Sequence, residues 1–129
     1  MPSYVTHLES ALDGARLDAQ RLQTLHKERP LWVRYDLDAV KHHFHKAMLR
    51  DRPATMWRYR ELLPLADDQD IVSLGENMSP LLECARLGKT LGVPNLWIKD
   101  ESQLPTGSFK SRGQALAITM ARHFGVTRV

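Results

Sequence analysis

The chain has 129 residues, 43% of them apolar and 26% charged, the proportions of one ordinary globular domain with a modest core. Its formal charge is +3, but eighteen Lys and Arg are scattered among fifteen Asp and Glu without a long block, which sets aside a nucleic-acid-binding footprint. No apolar run approaches the roughly 18 residues of a membrane span, "MPSYVTHLES" lacks a charged-then-apolar leader, and the lone Cys84 makes no internal disulfide, so a cytoplasmic address is expected.

The first thirty residues read two ways: Leu12, Leu17, Leu22 and Leu25 fit a helix loosely, while Gly14 and many short polar residues fit turns equally well. "PLWVRYDL" (30–37) alternates bulky apolar and polar residues behind a proline and predicts a strand. Asp36 or Asp38 then caps one predicted helix across "LDAVKHHFHKAMLRD", with Val40, Phe44, Ala47 and Met48 on its buried face and Pro53 beyond its end. Within it His42 and His45 share a face, but no thiolate or third ligand accompanies them, so "KHHFHK" reads as a solvated surface. "TMWRYRELLPL" (55–65) is expected to dock its aromatic residues and leucines on the core, with Pro64 stopping any helix, and an acidic loop, "ADDQD", follows.

"IVSLGENMSPLL" reads as strand-like with a turn at Gly75, "CARLGKTLG" as a short helix closed by Gly92, and "NLWIKDE" as a buried strand after the Pro94-Asn95 turn. Cys84 is expected to be a small buried hydrophobe, since no His or charged partner stands beside it. The alternation of strands and helices predicts an α/β class. "LWVRYDL", "IVSL" and "NLWIK" are expected to share an incomplete sheet whose exposed edge or apolar face promotes association.

"LPTGSFKSRG" (104–113) carries the chemistry. Pro105 keeps Leu104 out of helical angles, Gly107 allows a sharp turn, and Ser108 is a favoured N-cap for a helix with Ala115, Leu116, Met120 and Phe124 on its apolar face. Lys110 then falls in the first turn, at the positive end of the helix dipole, where an ammonium is disfavoured by roughly 0.3–1 kcal/mol. Together with partial desolvation this lowers the amine pKa and favours the neutral nucleophile that Schiff-base chemistry needs. A Walker phosphate loop is excluded, because Leu104 and Phe109 stand at its two glycine positions. The plain alternative stays open: Lys110 lays its stem on the core and its head in water.

"LWIKDESQLPTGSFKSRG" resembles the segment around the cofactor lysine of fold-type II pyridoxal phosphate enzymes, and "VSLGENMSPLL" resembles their upstream G-E-G-x-T-P-L element, in the same order and at a matching separation. "HLESALDGARLDAQRLQTLHKERPLWVRYDLDAV" with "MWRYRELLPL" narrows the resemblance to threonine synthases, in particular those with an N-terminal zinc-ribbon-like extension. The resemblance implies an α/β, tryptophan synthase beta-like fold with an incomplete sheet, a degenerate ribbon-like extension over 1–35, and the N-terminal part of the catalytic domain over 36–129. It implies pyridoxal 5'-phosphate as cofactor, with Lys110 holding it as an internal aldimine and later shuttling protons, and Phe109 beside the pyridine ring. The implied reaction converts O-phosphohomoserine and water to threonine and phosphate. Threonine dehydratase, diaminopropionate ammonia-lyase and a non-catalytic remnant or interaction module remain alternatives. The expected partners are a small-molecule amino-acid substrate and further copies in a homo-oligomer, with no nucleic acid and no membrane.

Three departures accompany the resemblance. Ribbon-bearing relatives read C-x-x-C and roughly C-x-C-G, whereas Ser10 and Asp13 stand at the first pair here and His26 and Glu28 near the second, a poor set for zinc, so no metal is expected. Asn77 and Ser79 replace the glycine and threonine of the upstream element, which keeps a hydroxyl and loses a permissive backbone. The family's S-x-G-N loop and glycine-rich phosphate cradle are not among these 129 residues, so the polypeptide alone is expected to bind the cofactor weakly and to be inactive.

Overall fold

The computed structural model describes residues 3–65 and 67–129. The first thirty-five residues resolve the ambiguity of the N-terminus in favour of turns and strands. β1 (Val5–Ser10), β2 (Arg16–Leu17), β3 (Leu25–His26) and β4 (Arg29–Tyr35) form one antiparallel sheet in the order β2-β1-β4-β3. Its central pair sets Leu8 opposite Val33 and Ser10 opposite Leu31. The turn between β3 and β4 uses Lys27 and Glu28, both left-handed at φ 48° and 62°. Such backbone in non-glycine residues is strained by about 1–3 kcal/mol each, so surrounding contacts must hold it.

Asp36 caps α1 (Leu37–His43), its Oδ1 accepting from the Ala39 amide at 2.8 Å. The single helix expected over 37–51 breaks at Phe44, which is extended, and a separate 3-10 turn follows over Lys46–Leu49. The break follows residues of modest helix propensity whose side chains compete for backbone: the His42 and His43 Nδ1 atoms lie 2.6 and 2.8 Å from the Asp38 and Ala39 carbonyls. Of the expected buried face, Val40 is buried while Ala47 is exposed.

A kinked 3-10 segment, Met56–Leu62, docks through a buried ion pair. Arg52 donates to both Glu61 oxygens, at 2.7 and 2.8 Å, and to the Arg58 carbonyl, and its positive charge holds the Glu61 carboxyl below the usual range. Residues 71–74 form no strand, contrary to expectation. Their amides are taken by side chains instead of a ladder: Val72 N–H reaches the buried Thr119 hydroxyl at 3.0 Å, and Leu74 N–H reaches Glu76 at 3.0 Å.

β5 (Leu81–Glu83) and β6 (Trp97–Lys99) pair antiparallel as an isolated two-stranded ribbon around α2 (Ala85–Leu91), which Gly92 closes in the left-handed region. The shared sheet of "LWVRYDL", "IVSL" and "NLWIK" therefore does not form: β4 spends its bonds on β1 and β3, and β6 is exposed where a buried strand was expected. Leu82 and Ile98 face one another across this ribbon, at 47% and 41% exposure. Cys84 is half-buried at the start of α2.

α3 (Lys110–His123) is the longest helix among the described residues. Ala115 is buried on it, Thr119 fastens it to Val72, and His123 fastens it to Asp70, with Nδ1 2.8 Å from Oδ2. Its C-terminal half and the sheet enclose a cleft of about 460 Å³ lined by Val5, Leu8, Val33, Met120 and Phe124. The result mixes helices and strands around a partial sheet and a small core, in which Leu65 and Leu104 are buried with Val40 and Ala115. No helix among the described residues is long and apolar enough to cross a membrane.

Candidate functional site

Lys110 is the first residue of α3. Leu104 is buried and anchors the preceding loop, Gly107 takes φ 67°, and the chain swings into the helix through Ser108 and Phe109. Ser108 was expected to be the N-cap. Phe109 occupies that position, and the Ser108 hydroxyl accepts from the Lys110 amide at a long 3.4 Å, with Thr106 Oγ1 3.4 Å from the same oxygen. The Lys110 ammonium stands 5.2 Å from the Phe109 ring centroid and has no hydrogen-bond acceptor among the described residues. Both side chains are exposed, Phe109 at 63%.

A charged network centres on Arg112, two residues beyond the lysine on α3. Arg112 donates from Nε to Glu101 Oε2 at 2.7 Å, from Nη2 to Oε1 at 3.0 Å, and from Nη2 to the Asn77 carbonyl at 3.1 Å. Ser79 donates its hydroxyl to the same Glu101 oxygen, and Lys99 Nζ donates to the Ser79 carbonyl at 3.0 Å. Arg112 beside Glu101, followed by the Ser79 hydroxyl, draws the Glu101 carboxyl down to about 2. Asn77 and Ser79, the two departures in the upstream element, are thereby fixed beside the start of α3.

Glu76 completes the arrangement. It is fully buried, which alone would raise its pKa, yet the Ser73 hydroxyl at 2.5 Å, the Leu74 amide and the field of Arg112 hold it below the usual value. An ionised carboxylate stays inside because each of its oxygens accepts a hydrogen bond and Arg112 adds a favourable field. Beside the network a cleft of about 470 Å³ is lined by Tyr59, Met78, Lys99, Arg112 and Leu116, and Lys110 stands outside that lining.

Sequence reasoning singled out Lys110 and Phe109 and overlooked Glu76, Glu101 and Arg112. The signal was present in the flanks of the motif, an acid in "KDES" and an arginine two residues after the lysine. Their partnership required the loop to fold back. Of the four positions read as a poor set for zinc, two come close: His26 Nε2 lies 3.5 Å from Asp13 Oδ2. Glu28 is exposed and stays apart. Among the described residues no group of three or more His, Cys, Asp or Glu could hold a metal ion. His42, His43 and His45 are exposed.

The family described as "Pyridoxal-phosphate dependent enzyme" matches residues 72–129, which contain Glu76, Glu101, Lys110 and Arg112. A threonine synthase of Methanocaldococcus jannaschii is 43% identical over 96 residues, covering 74% of this chain and 24% of that protein. A threonine synthase of Methanosarcina acetivorans is 35% identical over 97 residues, 75% of this chain and 23% of its own length. One of Mycobacterium tuberculosis is 40% identical over 73 residues, 57% of this chain and 20% of its own. The chain thus spans about a quarter of the length of the curated relatives it matches. Residues 72–129 thus match the family of pyridoxal-phosphate dependent enzymes, and the chain is similar to threonine synthases over about three quarters of its own length.

Proposed function

We propose that this chain supplies the cofactor lysine of a threonine synthase, an enzyme that converts O-phosphohomoserine and water to threonine and phosphate. The single observation that carries the reading is the position of Lys110: it opens α3 directly after "TGSF", with an ammonium that no acceptor among the described residues has claimed. An unclaimed, exposed amine at a helix start fits a group that must be held covalently through that amine. The 43% identity to a threonine synthase supports the choice of substrate over the dehydratase and ammonia-lyase alternatives.

Pyridoxal phosphate, when bound, supplies an electron sink for charge developing at the substrate α carbon. The chain's own residues do the rest. Lys110 would hold the cofactor and would move protons at the substrate α and β carbons. Phe109 would lie beside the bound cofactor. Arg112 and Glu101 hold the Asn77 and Ser79 loop at a fixed distance from the first turn of α3, which keeps substrate and lysine in register.

On this reading residues 1–35 are a ribbon-like extension, residues 36–129 belong to the catalytic domain, and the protein is a cytoplasmic homo-oligomer acting on a small amino-acid substrate. The 129-residue polypeptide alone takes up the cofactor weakly and does not turn over O-phosphohomoserine, since positioning supplies most of the rate. Incubation with pyridoxal phosphate, borohydride reduction and peptide mapping tests the assignment. Label concentrated on Lys110, and lost in Lys110→Ala, is the expected result. Even labelling of all lysines returns Lys110 to a surface role. Threonine formation by the polypeptide alone would overturn the stated inactivity.

A further inference from the structure

Two turns at one end of the N-terminal sheet face each other. The first, residues 10–14, folds on itself through the Gly14 amide to the Ser10 carbonyl at 3.0 Å and the Leu12 amide to the Ser10 hydroxyl at 3.2 Å. The second is the left-handed pair Lys27 and Glu28 between β3 and β4. Asp13 connects them. Its Oδ1 accepts from the Ala15 amide at 3.2 Å, and its Oδ2 accepts from Lys27 Nζ at 2.9 Å. Ser10 is 1% exposed, so the base of the first turn is buried while the Asp13–Lys27 pair lies at the surface.

Relatives with a ribbon would join such turns through a metal ion. The residues present do not fit one: a hydroxyl, a single carboxylate and an imidazole replace thiolates, the fourth position is the exposed Glu28, and an ammonium already sits against Asp13. A second cation beside Lys27 would meet direct repulsion. His26 Nε2, buried and without a hydrogen-bond partner, points toward the oxygen that Lys27 occupies, 3.5 Å away.

We propose that Lys27 and Asp13 form a metal-free clasp that locks the two turns of the N-terminal sheet together, with the lysine ammonium standing where a ribbon would hold its cation. The clasp secures a turn whose left-handed residues would otherwise relax, and it makes closure of this end independent of metal supply. The Ala15 amide orients Asp13 for it.

The test is a double-mutant cycle on the 129-residue chain after chelator washing, read by metal content and by thermal midpoint. The expected result is no bound zinc, a midpoint that added chelator or zinc leaves unchanged, and a drop of a few degrees for Lys27→Met and for Asp13→Asn. The double variant should fall no further than the Lys27→Met variant, because both changes break one contact. One zinc retained per chain, or additive losses in the double variant, overturns the proposal. Should either variant fail to fold, hydrogen exchange of the Ser10 and Gly14 amides in the unaltered chain reads the same contact. Protection that falls at about 1 M salt, where the screening length shrinks to about 3 Å, supports the clasp; protection indifferent to salt overturns it.

Discussion

Arg112 meets Glu101 through two parallel hydrogen bonds, at 2.7 and 3.0 Å, and the same guanidinium reaches the Asn77 carbonyl at 3.1 Å. One side chain two residues beyond Lys110 thus ties the upstream loop, the "KDES" segment and the start of α3 into a single unit. Planar, bidentate pairing suits arginine and would be lost with lysine.

The pH dependence of this unit has a definite sign. The Glu101 carboxyl titrates near 2 in the folded chain against 4.5 for an unperturbed glutamate, chiefly because of Arg112 and Ser79. A depressed carboxylate stabilises the fold fully above its unfolded value, and that contribution is lost as pH falls through the folded value. The stability difference between wild type and Glu101→Gln should be constant above pH 4.5 and shrink as pH approaches 2. Thermal unfolding across that window checks it, and a difference that does not shrink refutes the assignment.

Thr119 is fully buried and answers both the amide and the carbonyl of Val72, at 3.0 and 3.4 Å. Thr119→Val keeps the shape and removes the hydroxyl, leaving buried backbone groups unsatisfied, so a loss of about 1–3 kcal/mol is expected. Chemical denaturation of the two chains measures it. Thr119→Ser, which retains the hydroxyl, should recover most of the loss.

Glu28 is exposed, makes no contact with the clasp, and holds φ 62°. Glycine adopts that conformation without the side-chain penalty, so Glu28→Gly should stabilise the chain by about 1 kcal/mol despite the added freedom of the unfolded state. Lys27→Gly relieves the same kind of strain but removes the ammonium from Asp13, so its net effect should be smaller or reversed. Denaturant midpoints of the two variants separate the cases.

The β5–β6 ribbon carries Leu82 and Ile98 on one face and Leu81 and Trp97 on the other, all exposed. A two-stranded ribbon with apolar groups in water is marginal by itself and favours association. Sedimentation of the 129-residue chain should show self-association that rises with concentration. Leu82→Lys combined with Ile98→Lys should reduce it, while a monomeric wild type at every concentration would contradict the prediction.

Local chemistry made several elements legible in advance. Asp36 or Asp38 before an apolar-periodic run marked the start of α1, where the structure uses Asp36, the Gly92 stop ended α2, and "LPTGSFKSRG" placed Lys110 in the first turn of a helix whose buried Ala115 was named beforehand. The family resemblance rested on the same contiguous motifs, and the matched residues contain them. Such features depend on neighbours within a few residues, where capping geometry and backbone freedom dominate.

What paired with what was decided only in three dimensions. "LWVRYDL" is a strand on its pattern, but its partners turned out to be β1 and β3, because hydrophobic alternation specifies a face and leaves the neighbouring strand open. "IVSL" is rich in strand-favouring apolar residues and forms no strand, since the distant Thr119 takes the Val72 amide and the neighbouring buried Glu76 takes that of Leu74. Arg112 with Glu101, and Lys27 with Asp13, are likewise unions of residues that the chain holds apart. The sequence by itself marked the end of α2, the lysine's place in the first turn of α3 and the family resemblance; the tertiary structure decided the strand partners and the ion pairs, because long-range pairing depends on which competing donors the folded chain brings within reach.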